Sequence, residues 1–434
     1  MNQALQLDAI DNELIDERTK GFPYGTPPIP LNRIGEQGWQ LLNGALPFPL
    51  AVLKDAALAH NHRWMRDFTS ATAVLLAPHG KTTMAPQIFA QQLAAGAWGI
   101  TVATVQQLTV CVRFGVRRVI MANQLVGPSA VAEVIRLQEA HPELEFFFLV
   151  DSEAQLRLIE AEAERHPMSR PLTALLELGI PGGRTGCRSQ TQASALASAI
   201  AASASVDLAG IECYEGLQLT GDSAHDADFV TGLMHAVREL ALACDAAGQF
   251  AGTAIVLSAG GSAAFDVVAR ELPTRLSKPV HTILRSGCYV THDSGFYARM
   301  LDNVRLRSGA RWQSRPGLQP ALEVWAQVQS RPEPGLAILT MGKRDASFDI
   351  DLPRPQWHFR AGRDTLPCPA PDSWRIAAMN DQHAYLHVPA DADLQVGDLI
   401  GTGISHPCTT FDKWRVLFTV DDRYRVTGAI RTFF

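Results

Sequence analysis

Pro78-His79-Gly80-Lys81-Thr82-Thr83-Met84-Ala85-Pro86 separates two regular stretches of this 434-residue chain. The apolar run Ala73-Val74-Leu75-Leu76-Ala77 leads into it, and an amphipathic stretch over residues 87–95 follows. A short apolar run reads as a buried strand, and apolar residues recurring every three or four positions read as a helix. The lysine between them stands at a strand-to-helix handover, where side chains converge at the top of an α/β barrel. Gly80-Lys81-Thr82 mimics the end of a phosphate loop, but that motif needs a glycine five positions before Gly80, and Leu75 is there. The phosphate-loop reading fails.

The same alternation continues outward. Apolar runs occur at residues 72–77, 99–103, 118–122, 145–150, 173–178, 208–214, 253–258 and 281–285. Helical spacing fills residues 105–114, 129–140, 152–165, 190–202, 227–247 and 263–271. Short buried strands alternating with amphipathic helices make parallel βα units, and eight of them suit a closed (β/α)8 barrel. An open doubly wound sheet is the structural rival. Upstream, residues 48–52 read as a strand and 54–68 as a helix. From residue 311 the runs shorten and turns such as Pro316-Gly317 and Glu333-Pro334-Gly335 interrupt them. Residues 321–329, 335–341, 384–388 and 414–420 predict antiparallel strands. The expected division is an N-terminal extension (1–48) lying on the β domain, a barrel (49–295), and a mainly antiparallel β domain (296–434).

Bulk properties narrow the function classes. A net charge of −6 gives no electrostatic footprint for nucleic acid or an anionic membrane surface. Residues 1–20 lack the apolar segment of a signal peptide, and no stretch approaches the ~20 apolar residues of a membrane span. The odd number of cysteines, seven, scattered along a long chain, reads as reduced thiols. The expectation is a cytoplasmic protein acting on a small molecule.

Pro-His-x-Lys-Thr after the first strand resembles the signature of fold-type III pyridoxal phosphate enzymes, in the D-serine dehydratase and D-threonine aldolase branch. A lysine taken alone is ordinarily a surface residue; its neighbours give it meaning here. A lysine amine forms an imine with an aldehyde cofactor, so the resemblance makes Lys81 the cofactor-linking residue, with His79 beside it. Ala77 and Thr83 depart from the family, which often carries Arg and His there. The resemblance runs from about residue 46 to the end and implies an alanine-racemase-like barrel plus the β domain.

Further segments fit this reading. Ser258-Ala259-Gly260-Gly261-Ser262 follows the seventh strand, where glycines let backbone N–H groups approach an anion. Barrel phosphate sites sit after strands seven and eight, and Arg285-Ser286-Gly287-Cys288-Tyr289 resembles the family's second phosphate segment. Gly260, Gly261, Ser262, Gly287 and Tyr289 are therefore candidate cofactor contacts. Arg184, in Gly183-Arg184-Thr185-Gly186, resembles the arginine near the cofactor ring, with Pro181-Gly182 blurring the register. Tyr214, in Gly210-Ile211-Glu212-Cys213-Tyr214-Glu215-Gly216, resembles the family's cofactor-side tyrosine; a barrel-filling aromatic is the plainer reading. His406 and Cys408, in Ser405-His406-Pro407-Cys408, are good zinc ligands by donor type. The resemblance gives that pair its weight, since D-serine dehydratases carry His-x-Cys here and D-threonine aldolases usually His-x-Asp. His383 is a further candidate for the site, and Phe348-Asp349 matches a family segment without a role.

The resemblance implies a dehydratase (a deaminating lyase) that uses pyridoxal 5'-phosphate and Zn2+ or another divalent metal. Its substrate would be a D-3-hydroxy amino acid, D-serine first, giving pyruvate and ammonia. Lys81 would link the cofactor and serve as general base. A metal at His406 and Cys408 would assist departure of the β-hydroxyl. A D-threonine aldolase is the nearest rival, then an amino-acid racemase, then a non-catalytic cofactor carrier. A homodimer is expected by resemblance.

Overall fold

A computed structural model describes residues 4–434. Eight parallel strands lie side by side in the order Leu75–Leu76, Val280–Leu284, Ile255–Ala259, Val206–Glu212, Leu172–Glu177, Glu145–Val150, Arg118–Gln124, Ile100–Val102. The two ends of this row meet. Thr101 N donates to Pro78 O at 2.9 Å and Trp98 N to Leu76 O at 2.7 Å, while His79 bridges Thr101 in parallel. The sheet thus closes into a (β/α)8 barrel, and the open-sheet rival is excluded.

Strand periodicity explains both faces of the barrel wall. Ile120, Leu149, Leu175, Val256 and Ile283 fill the interior, while their chain neighbours Val119, Met121, Phe148 and Val150 join the layer beneath the helices. The connecting helices start where the sequence supplies caps. Thr104, Ser152 and Ser189 each accept an amide three residues on, and Asp222 accepts those of Ala224 and His225. Each cap stabilises its helix by about 1 kcal/mol.

The second sheet runs Cys368–Pro369, Arg354–Phe359, Leu399–Gly403, Leu322–Glu333, Leu336–Leu339, Ala384–His387, Arg375–Met379. Leu50–Lys54 pairs antiparallel with Leu322–Glu333 and parallel with Val416–Val420, which in turn pairs with Val426–Arg431. This moves the expected boundary at residue 49. Leu50–Lys54 belongs to the β domain, and the barrel region begins with the helix Asp55–Thr72. Four apolar buried residues in a row suit a central strand of either sheet, so local pattern could not decide between them.

The boundary at residue 295 also moves. The helix Phe296–Arg307 packs on the barrel, where Arg307 Nε and Nη2 reach the Asp266 carboxylate at 2.8 and 2.9 Å. Trp312 just beyond it lies 4.9 Å from Trp64 and 5.3 Å from Phe68, ring centre to ring centre. This eighth barrel helix buries only Met300, Leu301 and Val304, too thin an apolar stripe to be read from sequence. The strands Arg354–Phe359, Arg375–Met379 and Leu399–Gly403 lie in stretches where the sequence pattern predicts none.

The N-terminal extension does lie largely on the β domain. Its 3-10 helix Leu31–Gln37 packs on Val426–Arg431, Lys20 pairs with Asp345 and sits 3.7 Å from the Trp414 ring centre, and Glu13 pairs with Arg431. Gln6 N also reaches the barrel, donating to Phe114 O. Residues 1–3 of the extension lie outside the described residues. Among the described residues no helix is long and apolar enough to cross a membrane.

Candidate active site

A cavity of about 280 Å3 opens at the C-terminal ends of the barrel strands. Lys81, His79, Arg184, Tyr214, Gly261, Ser262 and Gly287 line it from the barrel, and His406 and Cys408 line it from the β domain. Nine candidates scattered over 330 residues of sequence thus share one cavity. Two others do not. Gly260 contributes a turn, with φ of +90°, behind the lining. Tyr289 is buried away from the cavity, its ring 6.2 Å from that of His62, and is a packing residue of the barrel wall. His383 is exposed in a turn of the β domain and takes no part.

The turn Gly80–Thr82 presents Lys81 to the cavity. His79 lies beside it, with Nδ1 buried and unpartnered. Burial, then the cations Lys81 and Arg285, hold the His79 pKa well below the usual imidazole range. A neutral ring with a free buried nitrogen is a hydrogen-bonding group waiting for a partner. Gly287 lies against this turn so closely that an added Cβ would stand 2.6 Å from His79 O and 2.7 Å from Thr82 Oγ1. Only glycine fits.

Arg184 is delivered by a loop that Arg188 organises: its guanidinium donates to the carbonyls of Gly183, Arg184, Thr185 and Gly186. Arg184 Cζ stands 5.3 Å from the centre of the Tyr214 ring, so the two candidates flank one another. Burial pushes the Tyr214 hydroxyl up to about 12, which keeps it protonated as a donor. Below them Arg285 Nη2 pairs with Glu212 Oε1 and donates to Cys213 O. Burial lifts Glu212 to about 8 against the pull of Arg285. Glu177 accepts from Gln124 and from Thr185 Oγ1. Glu177, Glu212 and Arg285 themselves line the cavity, and this cluster of buried charges was not anticipated from the sequence.

The glycine segment carries a correction. Gly260 N and Gly261 N donate to Glu215 Oε2 and Oε1 at 3.2 and 2.6 Å, so these two amides serve an internal carboxylate rather than an incoming anion. Ser262 Oγ accepts from Cys288 N at 3.2 Å and Ser286 Oγ donates to the carbonyls of Gly260 and Gly261, tying the two segments together. The turn is built as expected; its amides face a partner that the spacing did not reveal.

The β domain supplies the remaining wall. Ser294 N donates to Ile404 O at 2.7 Å, and Phe433 N to Met84 O at 2.9 Å, docking the domain on the mouth of its own barrel. The helix Cys408–Phe411 rests on the Gly80–Thr82 turn, with Cys408 Sγ 3.4 Å from Thr82 Oγ1. His406 Nδ1 lies 2.5 Å from Asp349 Oδ2, and Thr409 Oγ1 donates to Asp349 Oδ1 at 2.8 Å. Burial lowers the His406 pKa, but the Cys408 sulfur and the Asp349 carboxylate outweigh it and raise the value to about 9. Cys408 is held well below the usual thiol range, by its contact with Cys288 first and by His406 next. Asp349 therefore gains the role its sequence segment lacked.

These residues fit both a pyridoxal phosphate and a divalent metal. For pyridoxal phosphate, the cavity joins an amine, a buried unpartnered imidazole nitrogen, a protonated tyrosine and an arginine around a glycine-lined wall. For a divalent metal, an imidazole steadied through Nδ1 by a carboxylate stands against a sulfur donor. Among the described residues no three His, Cys, Asp or Glu side chains form a ready-made cage, so the pair alone leaves coordination positions open.

A family model described as "Alanine racemase, N-terminal domain" matches residues 53–287, and one described as "Putative serine dehydratase domain" matches residues 321–420. A D-threonine aldolase from Arthrobacter sp is 24% identical over 388 residues, which cover 86% of this chain and 89% of that relative. The crystal structure of a D-threonine aldolase from Filomicrobium marinum superposes with a TM-score of 0.72 at 22% identity, covering 91% of this chain and 97% of that one. A D-threo-3-hydroxyaspartate dehydratase from Delftia sp. gives 0.68 at 21% identity, covering 89% and 98%.

Proposed function

This chain belongs to the fold-type III pyridoxal phosphate enzymes of the D-serine dehydratase and D-threonine aldolase family, and on that premise we propose that it is a metal-dependent dehydratase of D-3-hydroxy amino acids, converting D-serine to pyruvate and ammonia. The observation that carries the reading is Cys408, a sulfur where the aldolases resembled usually have a carboxylate, set beside an Asp349-steadied His406 in the cavity that Lys81 lines.

Lys81 would hold the cofactor, with His79, Tyr214 and Arg184 around it. When bound, pyridoxal phosphate supplies the electron sink that acidifies the substrate Cα–H. The Lys81 amine would take that proton as general base. His406 and Cys408 would hold the divalent cation, which supplies a Lewis acid for the departing β-hydroxyl. Arg184 and Tyr214 bind and orient, and the β domain, docked over the barrel mouth, excludes water. A homodimer is the assembly proposed with this reading, to be checked by light scattering.

D-Threonine aldolase activity is the second reading, favoured by the two aldolases that match most of the chain. The test is a 2-oxo acid assay on purified protein with D-serine, 3-hydroxy-D-aspartate and D-threonine, with and without chelator and added zinc. Chelator-sensitive pyruvate from D-serine is the expected result. Glycine and acetaldehyde from D-threonine, with no pyruvate from D-serine, would replace the dehydratase by the aldolase.

A further inference from the structure

We propose that Cys288 is a third protein ligand of the metal held by His406 and Cys408, making a site of two sulfurs and one nitrogen; this rests on the metal reading above. Cys288 follows the eighth barrel strand and Cys408 lies in the β domain, yet their sulfurs are 3.6 Å apart and both line the cavity. Two thiolates about 2.3 Å from one tetrahedral zinc stand about 3.8 Å from each other. The two sulfurs are already separated by nearly that edge of a coordination tetrahedron.

The surroundings favour a ligand over a chance contact. Cys288 is 5% exposed, in a turn fixed at both ends: its N–H donates to Ser262 Oγ at 3.2 Å, and its carbonyl accepts from His292 N at 2.7 Å. The backbone that carries its sulfur is therefore set independently of Cys408. On the other side, Asp349 fixes the His406 ring through Nδ1 and leaves Nε2 as the third donor. The three donors do not enclose a common point in this structure, so side-chain adjustment around the metal is part of the proposal. A disulfide would require the sulfurs to close to about 2.05 Å and would withdraw Cys408 from the metal.

The donor set makes a chemical commitment. Two thiolates and an imidazole select Zn2+ over the oxygen-preferring Mg2+ and Mn2+, and leave one tetrahedral position for a substrate oxygen. A single sulfur with open oxygen positions would discriminate far less.

The decisive measurement is zinc K-edge X-ray absorption on the unmodified, reduced holoenzyme, which counts sulfur neighbours without any variant. Two sulfurs are expected; one overturns the proposal. Cobalt substitution of wild type, Cys288→Ser and Cys408→Ser provides the second readout. The sulfur-to-cobalt charge-transfer band should fall by about half in each variant, and Cys288→Ser should bind zinc more weakly by at least the ~10–100-fold that loss of an outer partner costs. Circular dichroism checks that the variants fold. An unchanged band and zinc affinity in Cys288→Ser, with Cys408→Ser impaired, would end the inference while the two-ligand metal site stands. Failure of wild type to bind zinc or cobalt at all would remove both. A wild-type mass two hydrogens lighter under reductant, restored in Cys288→Ser, would identify a disulfide and overturn the proposal.

Discussion

Asp349 Oδ2 lies 2.5 Å from His406 Nδ1, so the imidazole is held at one nitrogen and offers the other to the cavity. The carboxylate is itself held by Thr409 Oγ1. Such a partner fixes ring orientation and tautomer and raises the basicity of the coordinating nitrogen.

Asp349→Asn keeps the shape and removes the charge. We expect zinc affinity to fall by about 10–100-fold, read by competition with a chromophoric chelator. Thermal stability should change little, because Asp349 is largely exposed. An unchanged affinity would deny Asp349 its role.

Gly287→Ala inserts a methyl group 2.6 Å from the His79 carbonyl oxygen. The backbone on both sides must move, at a cost of about 1–3 kcal/mol. Because the displaced turn carries Lys81, cofactor affinity should fall with it. Urea unfolding and cofactor titration together check both effects.

Arg285→Met leaves the buried Glu212 carboxyl without its partner, and a buried polar group left unsatisfied costs about 1–3 kcal/mol. Replacing both, as Glu212→Leu with Arg285→Met, should recover most of that loss, since an apolar pair of similar volume has no charge to desolvate. Denaturant midpoints of the two singles and the double measure the coupling.

His292 is buried and burial alone lowers its pKa to about 4, against about 6.5 when unfolded. The unfolded chain binds the proton first on acidification. The contribution is therefore fully present above pH 6.5 and is lost as pH falls toward 4, by about 3 kcal/mol over the window. His292→Asn, which tolerates the φ of +49° at this position, should flatten the melting-temperature profile between those pH values. Equal slopes in both proteins would refute the assignment.

Several residues show how much of the site was local information. Lys81 was legible because a strand, a turn and a helix follow one another within twenty residues. His406 and Cys408 were legible as a donor pair only beside a family pattern. Cys288 was visible as a residue of the second glycine segment, but nothing at position 288 points to position 408. Asp349 was quoted without a role for the same reason: its partner is 57 residues away. Glu215 shows the opposite failure, where a correct turn was assigned amides that a buried carboxylate already occupies.

The sequence by itself determined the succession of parallel βα units, because apolar runs of strand length alternating with amphipathic helices can bury both faces of a sheet in only a few ways; their closure into a barrel was decided by contacts such as Thr101 N to Pro78 O. It also determined where the lysine sits, since that depends on neighbours in the chain. Tertiary structure decided the sheet to which Leu50–Lys54 belongs, the barrel helix Phe296–Arg307, and which side chains meet in the cavity. Those outcomes depend on contacts between residues tens to hundreds of positions apart, and local hydrophobic pattern carries no record of its distant partners.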